Sequence, residues 1–196
     1  MQRRRFIAVT PVLAASGALA LAACTTTPPS SDASPEANAG RRRTIDADVD
    51  ATMTRLYETV KGSRELVAQA VGMLVFPHVI SAGFWIGGQY GQGALRVGTQ
   101  TSGYYSITAA SFGLQIGAQS KAVILLFMTK DALDGFVRSQ GWAAGLDATV
   151  ALVKIGANGN IDTSTATSPV EAIVMTNAGL MAGVSLEGSK ISRLII

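Results

Sequence analysis

The chain has 196 residues, 48% hydrophobic and 15% charged, enough to bury one core of ordinary domain size. The formal net charge is +3, but three arginines lie at positions 3–5 of a segment that reads as removable. Without them the 16 basic residues fall to 13, level with the 13 acidic ones, so net charge gives no support to nucleic acid or any other polyanion as a partner. Cys24 is the single cysteine, which rules out an intrachain disulfide and a cysteine-built metal cluster within the chain.

The first segment has the layout of an export signal. Arg3, Arg4 and Arg5 lead a mostly apolar run that begins at Phe6 and ends in Leu21-Ala22-Ala23-Cys24. Thr10, Pro11 and Ser16 interrupt the run and argue against a permanent transmembrane helix. Leu-Ala-Ala-Cys resembles the lipobox of bacterial lipoprotein precursors. That resemblance implies removal of residues 1–23 and lipid attachment at Cys24, where several acyl chains would give durable anchoring. The blander alternative is a secretory signal with an incidental cysteine. Arg3-Arg4-Arg5-Phe6-Ile7 also resembles a twin-arginine export signal, or is simply an arginine-rich leader. Thr25 stands where inner-membrane lipoproteins often carry Asp, so the sorting rule implies a lipid-anchored protein of the bacterial cell envelope, at the outer membrane.

Residues 24–43 are rich in Thr, Pro, Ser and Ala without apolar periodicity, and are expected to form a disordered tether. Arg41, Arg42 and Arg43 close it, either as a solvated charge run or as a clamp for anionic lipid head groups worth about 1 kcal/mol per cation. From Thr44 the pattern becomes helical. Ile45, Val49, Met53, Leu56, Tyr57 and Val60 recur at spacings of three and four, with Thr44 as cap and Asp46, Asp48 and Asp50 suited to the positive end. Gly62 is expected to stop this helix and Ser63 to cap a second, through Ala70. The first half is acidic, unlike a helix lying on anionic lipid, so packing against a sheet is the expectation.

Short strands follow: 72–76 running into Pro77, 80–89, a turn at Gly91 and Gly93, 94–97, a turn at 101–103, 104–107, 111–119 and 122–128. The last is continuously apolar, too short to span a bilayer, and reads as the central buried strand. Gly83-Phe84-Trp85-Ile86-Gly87-Gly88, Gly113-Leu114-Gln115-Ile116-Gly117 and Gly183-Val184-Ser185-Leu186-Glu187-Gly188 share one pattern, glycines among alternating apolar residues, which suggests strands that bend or closely approach another backbone. Thr129 caps a helix presenting Leu133, Phe136 and Val137, Gly141 ends it, and Trp142 is expected to pack it onto the sheet. Strands at 147–155, 170–175, 180–186 and 190–195, with an Asn158-Gly159 turn, complete the chain. The expected fold is α+β: a single domain, residues 44–196, with a curved, mainly antiparallel sheet (barrel-like or sandwich), two N-terminal helices and one helix after the central strands.

Several blocks in order resemble the SYLF domain, also called the Ysc84-type actin-regulator or Las17-binding domain. They include Val75-Phe76-Pro77, Gly87-Gly88-Gln89-Tyr90-Gly91-Gln92-Gly93, Gly103-Tyr104-Tyr105, Ser111-Phe112-Gly113-Leu114-Gln115-Ile116-Gly117, Gly141-Trp142 and Gly179-Leu180-Met181-Ala182-Gly183. The resemblance spans nearly all of the chain after Leu66. It departs at Gln89 and Gln92, where acids are expected of the family. What it implies is binding of membrane lipids, phosphoinositides in eukaryotic members, through a basic N-terminal region. Its nearest equivalents here are Arg41, Arg42, Arg43, Lys61 and Arg64. Actin is not expected as a partner of an exported bacterial protein.

Catalytic signals are sparse. His78 is the only histidine, and pairing with Ser81 or Ser106 has no Gly-x-Ser-x-Gly elbow behind it. No phosphate loop or dinucleotide fingerprint occurs. Asp131 and Asp134 read as helix-surface charges, and Glu187 as an exposed strand-end residue. The sequence therefore points to a non-enzymatic, lipid-binding envelope lipoprotein without catalytic residues, metal or cofactor. The rivals are an interaction lipoprotein contacting another envelope protein and, further off, a cryptic hydrolase.

Overall fold

The computed structural model describes residues 34–139, 141–153, 161, 168–176, 179–180 and 186–196, within a compact unit spanning Ser31–Ile196. It is an α+β fold: three helices and a curled, mostly antiparallel sheet. Helices α1 (Pro35–Thr59) and α2 (Ser63–Gln69) precede strands β1 (Gly72–Val97) and β2 (Gln100–Phe127). Then come α3 (Lys130–Arg138), β3 (Trp142–Ala143), β4 (Val150–Leu152), β5 (Val170–Thr176), β6 (Gly179–Leu180) and β7 (Lys190–Arg193). Among the described residues no helix is long and apolar enough to cross a membrane.

Helix α1 starts nine residues before the expected Thr44, so residues 35–43, expected in the tether, are helical. Ser34 is the N-cap, its hydroxyl accepting from the Ala37 amide at 3.2 Å, and Pro35 occupies the first turn, where a missing N–H costs nothing. Thr44 lies inside the helix and gives its hydroxyl to the Gly40 carbonyl. Ile45, Val49, Thr52, Met53 and Leu56 are the buried stripe, as their spacing predicts. Gly62, in the left-handed region at φ 82°, turns the chain. Ser63 does not cap α2. It is buried, and its hydroxyl donates to the Val60 (2.6 Å) and Leu56 (3.3 Å) carbonyls, closing the end of α1.

The sheet is organised around one very long hairpin rather than the six short strands expected. β1 and β2 pair antiparallel from Gly72↔Phe127 to Val97↔Gln100, joined by the two-residue loop Gly98-Thr99. Pro77 and His78 face the single residue Ala122, a bulge that accommodates a proline lacking its N–H inside a ladder. Gly91 and Gly93 are not turn residues. They lie within β1 where its backbone passes over its own first half: a Cβ on Gly93 would run into the Val75 carbonyl oxygen and come within 2.8 Å of the Phe76 ring. The strand thus doubles back on itself, which only glycine permits there.

β2 carries the other strands. β5 pairs with its residues 122–127 and β7 with 105–108, while β3 pairs with β7, β6 with β5, and β4 runs parallel to β5. Residues 122–127 are all buried, confirming the central strand. Both faces of the sheet are covered. On one, α1 and α2 pack against Val75, Ala94, Ile124, Leu126, Ile173 and Met175. On the other, α3 sinks Leu133 and Phe136 among Leu74, Phe76, Leu125, Phe127 and Val174. Phe136 lies 4.9 Å from Tyr105, 5.0 Å from Phe127, and edge-on to Trp142 at 5.8 Å, so Trp142 is the core anchor the sequence predicts. Ser139, not Gly141, ends α3, its amide bonding to the Gly135 and Phe136 carbonyls. The 147–155 strand is realised at Val150–Leu152, with Asp147 accepting from the Ala143 amide at 2.6 Å. The Asn158-Gly159 turn and most of 180–186 lie outside the described residues.

Candidate functional site

Arg41, Thr44, Ile45 and Asp48 recur at i, i+3, i+4 and i+7 along α1, so they share one face. That face stands over the place where β1 crosses itself. A cleft of about 250 Å³ opens between them, walled by Pro77, His78 and Ile80 from the outgoing half of β1 and by Tyr90, Gly91 and Gln92 from the returning half. Arg41 Nε donates to Gln92 Oε1 at 3.1 Å, and Gln92 Nε2 donates to Tyr90 Oη at 2.6 Å. Glutamine at position 92, where an acid is expected of the family, accepts from Arg41 and donates to the phenol; a carboxylate there could keep both contacts only by accepting from each. Across the cleft, His78 Nε2 stands 3.9 Å from Asp48 Oδ2, with the His78 side chain mostly in solvent and that of Asp48 half-buried. Ile80 (54% exposed) and Tyr90 (43%) form an apolar lip.

The cleft therefore offers one guanidinium, one carboxylate, an imidazole and a phenol beside exposed apolar surface. This set suits a charged head group with an apolar tail better than acyl-transfer chemistry. At 3.9 Å the His78–Asp48 contact is too long for an orienting hydrogen bond. Ser106 turns its hydroxyl to the Ser192 carbonyl at 3.5 Å. Among the described residues no cluster of metal-ligating side chains occurs.

The structure separates the predicted basic residues. Arg41 is in the cleft; Arg42 donates to the Ile196 carbonyl at 2.6 Å; Arg43 is exposed. Lys61 and Arg64 lie beyond the far end of α1, in the turn and in α2, and the last residue of α1, Thr59, is itself roughly 24 Å from Arg43 at 1.5 Å of rise per residue. The Arg64 guanidinium lies 4.4 Å over the Tyr57 ring, where burial raises the phenol pKa and Arg64 partly offsets it. Lys61 and Arg64 thus stand apart from Arg41, Arg42 and Arg43. Cys24 lies outside the described residues. Asp134 pairs with Lys130 at 2.6 Å, and Glu187 is exposed in a turn.

Sequence reasoning missed what the acids of α1 do. Because the helix starts at Pro35, Asp46, Asp48 and Asp50 sit in its middle rather than at its positive end. Asp46 Oδ1 accepts from Thr101 Oγ1 at 2.8 Å and Oδ2 from Tyr104 Oη at 2.7 Å. Arg96 Nη2 reaches Asp46 at 3.3 Å and Asp50 at 2.9 Å. These bonds fix α1 to the hairpin and so place Asp48 and Arg41 over the cleft. The signal available was three acids at i, i+2 and i+4, too many for a dipole role alone.

Residues 108–194 match the family model described as Las17-binding protein actin regulator, Ysc84. Over this segment, less than half of the chain, the protein is similar to the Ysc84 family. No curated protein matches the chain. The match begins within β2 and runs to the end of β7, a shorter span than the sequence blocks suggest. The cleft, built by α1 and β1, lies outside the matched Ysc84 segment.

Proposed function

We propose that the protein is a non-enzymatic, lipid-anchored envelope protein, tethered through Cys24, whose Ysc84-type domain binds lipid or a membrane surface. The observation that supports this reading most is the cleft, where Arg41 lies beside the exposed apolar lip of Ile80 and Tyr90. A phosphate-bearing head group would meet the guanidinium, while its apolar part would follow the lip. The anchor would hold the domain at the surface it reads, and the domain would add selectivity to durable acyl attachment.

Flotation with vesicles tests this. Residues 31–196, which lack Cys24 and the leader, should rise with anionic vesicles at low salt. Arg41→Ala should weaken that binding about fivefold, the ~1 kcal/mol expected of one cation at an anionic surface. Arg42→Ala, whose guanidinium is spent on the Ile196 carbonyl, should change it less. If neither anionic nor zwitterionic vesicles carry the unit upward, the reading fails.

A further inference from the structure

Between the crossing of β1 and its far bend, no described element other than its own two strands pairs with the hairpin. β7 leaves β2 at Thr108 and β5 joins it at Ala122, so among the described residues 109–121 of β2 have only β1 as a neighbour. The contacts of Gly91 with His78 and Val79, and of Gly93 with Val75, bring the two halves of β1 together at the base of this ribbon. From Val79 to Gly91 the path is about 40 Å at 3.3 Å per residue, so the bend stands up to about 20 Å away from the crossing. The ladder itself marks the bend. Gly83 pairs with Gly117 and Trp85 with Gly113, so one residue of β1 faces three of β2, as an outer strand rounding an inner one requires.

The composition of the ribbon does not suit water. Arg96 is the only charged residue between His78 and Lys121. The sequence at the bend carries Phe84, Trp85, Ile86, Phe112, Leu114 and Ile116 among glycines, Trp85 pairing with Gly113 and Ile86 with Phe112. Soluble sheets protect free edges with lysine, proline or a covering element; this ribbon carries no charge and no described strand covers it. Its base is different. Gln119 and Ser120 are exposed, Tyr90 is 43% exposed, and the Arg41 cleft lies at the crossing. Apolar tip, amphipathic collar and cation at the base follow the order of acyl region, interface and phosphate layer in a bilayer.

We propose that the doubled-over ribbon of residues 80–90 and 109–120 is a lipid-inserting element, entering a bilayer at the boundary between head groups and acyl chains. The proposal rests on the lipid-binding reading and adds which part enters. Depth is limited by the ribbon's own backbone. Free edge N–H and C=O groups need water or head-group partners, so the tip sits in the outermost acyl region rather than spanning. With the tip inserted, the cleft would lie on the head-group side of the surface.

Two tryptophans make the test direct, because Trp142 is buried in the core and serves as the internal control. The full chain is reconstituted into phosphatidylcholine–phosphatidylglycerol vesicles whose acyl chains carry bromine at shallow or deep carbons, and tryptophan emission is recorded. Trp85 emission should shift to shorter wavelength and be quenched more by shallow than by deep bromines. Trp85→Phe should abolish the quenching, with Trp142 emission and circular dichroism reporting an intact fold. Flotation of residues 31–196 with Trp85 left unquenched would overturn the ribbon and spare the lipid-binding reading; failure of both would remove the two together. An unquenched Trp85 with a concentration-dependent dimer in sedimentation would assign the ribbon to a second copy of the chain and overturn insertion.

Discussion

Glu171 shows how much a single buried carboxylate can impose on this protein. It is 2% exposed on β5, and its Oε1 accepts the Ser168 amide at 3.1 Å. Burial raises its pKa above the ordinary carboxylate value, and the Ser168 bond offsets this only in part. With the folded pKa above the unfolded one, the native state binds more protons through the window between the two, so stability falls as pH rises through it. Glu171→Gln should therefore raise the melting temperature at neutral pH, by about 1 kcal/mol of stability. The advantage should shrink as the pH drops through that window and be gone below the unfolded carboxylate range. A gap that grows on acidification would contradict the assignment. Lys121 is the mirror case at the base of the ribbon, its ammonium pushed down by burial. Tyr104 is held up chiefly by burial and then by its bond to Asp46. Neither Glu171 nor Lys121 was marked as special by its sequence neighbours, because desolvation is a property of the packed chain.

The elements were legible in unequal measure, for identifiable reasons. The apolar stripe of α1 was plain from its spacing, but its first turns were not. Residues 35–43 bury no stripe and are started instead by the Ser34 cap and Pro35. α3 was readable from Thr129, Leu133 and Phe136, which each match a positional rule, but not at its end, Ser139 rather than Gly141, nor at Val137, which is 43% exposed instead of sharing the buried face. The hairpin was divided into short strands because glycine carries one signal for two causes, a turn and a close approach. Only the tertiary neighbour distinguishes them, and the neighbours of Gly91 and Gly93 lie in the other half of the same strand. This difference is measurable. Gly93→Ala must displace the Val75 carbonyl and should cost about 1–3 kcal/mol or prevent folding. Gly88→Ala, with nothing within 4 Å of the added methyl, should be close to neutral in a denaturant titration. Equal costs would mean the crossing of β1 is not constrained there. The cleft was illegible for a related reason, since Asp48 and His78 belong to different elements and nothing local to either announces the other.

At the scale of the molecule, one sheet separates two cores, and the α3 side hangs on a knot of aromatic rings. Phe136→Ala removes the ring shared by Tyr105, Phe127 and Trp142 and should cost about 3–5 kcal/mol. Trp142 emission should move to longer wavelength as its shelter opens; an unchanged spectrum would place Trp142 outside that knot. Burial on both faces has a further consequence for how the chain reaches this state. A sheet with one wet face forbids a one-residue slip, because the slip would turn its apolar set outward. Here the slip exchanges Val75 for Leu74 and Phe76, or Ile124 for Val123 and Leu125, and stays apolar on both sides. The correct pairing is then chosen by irregularities alone: the Pro77–His78 bulge, the glycine crossing, and Asp46 bridging Thr101 to Tyr104. A misregistered hairpin would hide nearly as much oil as the right one, and leaving it means unzipping the ladder. Refolding should accordingly divide into a fast fraction that pairs correctly from Gly98 outward and a slow one that must first come apart.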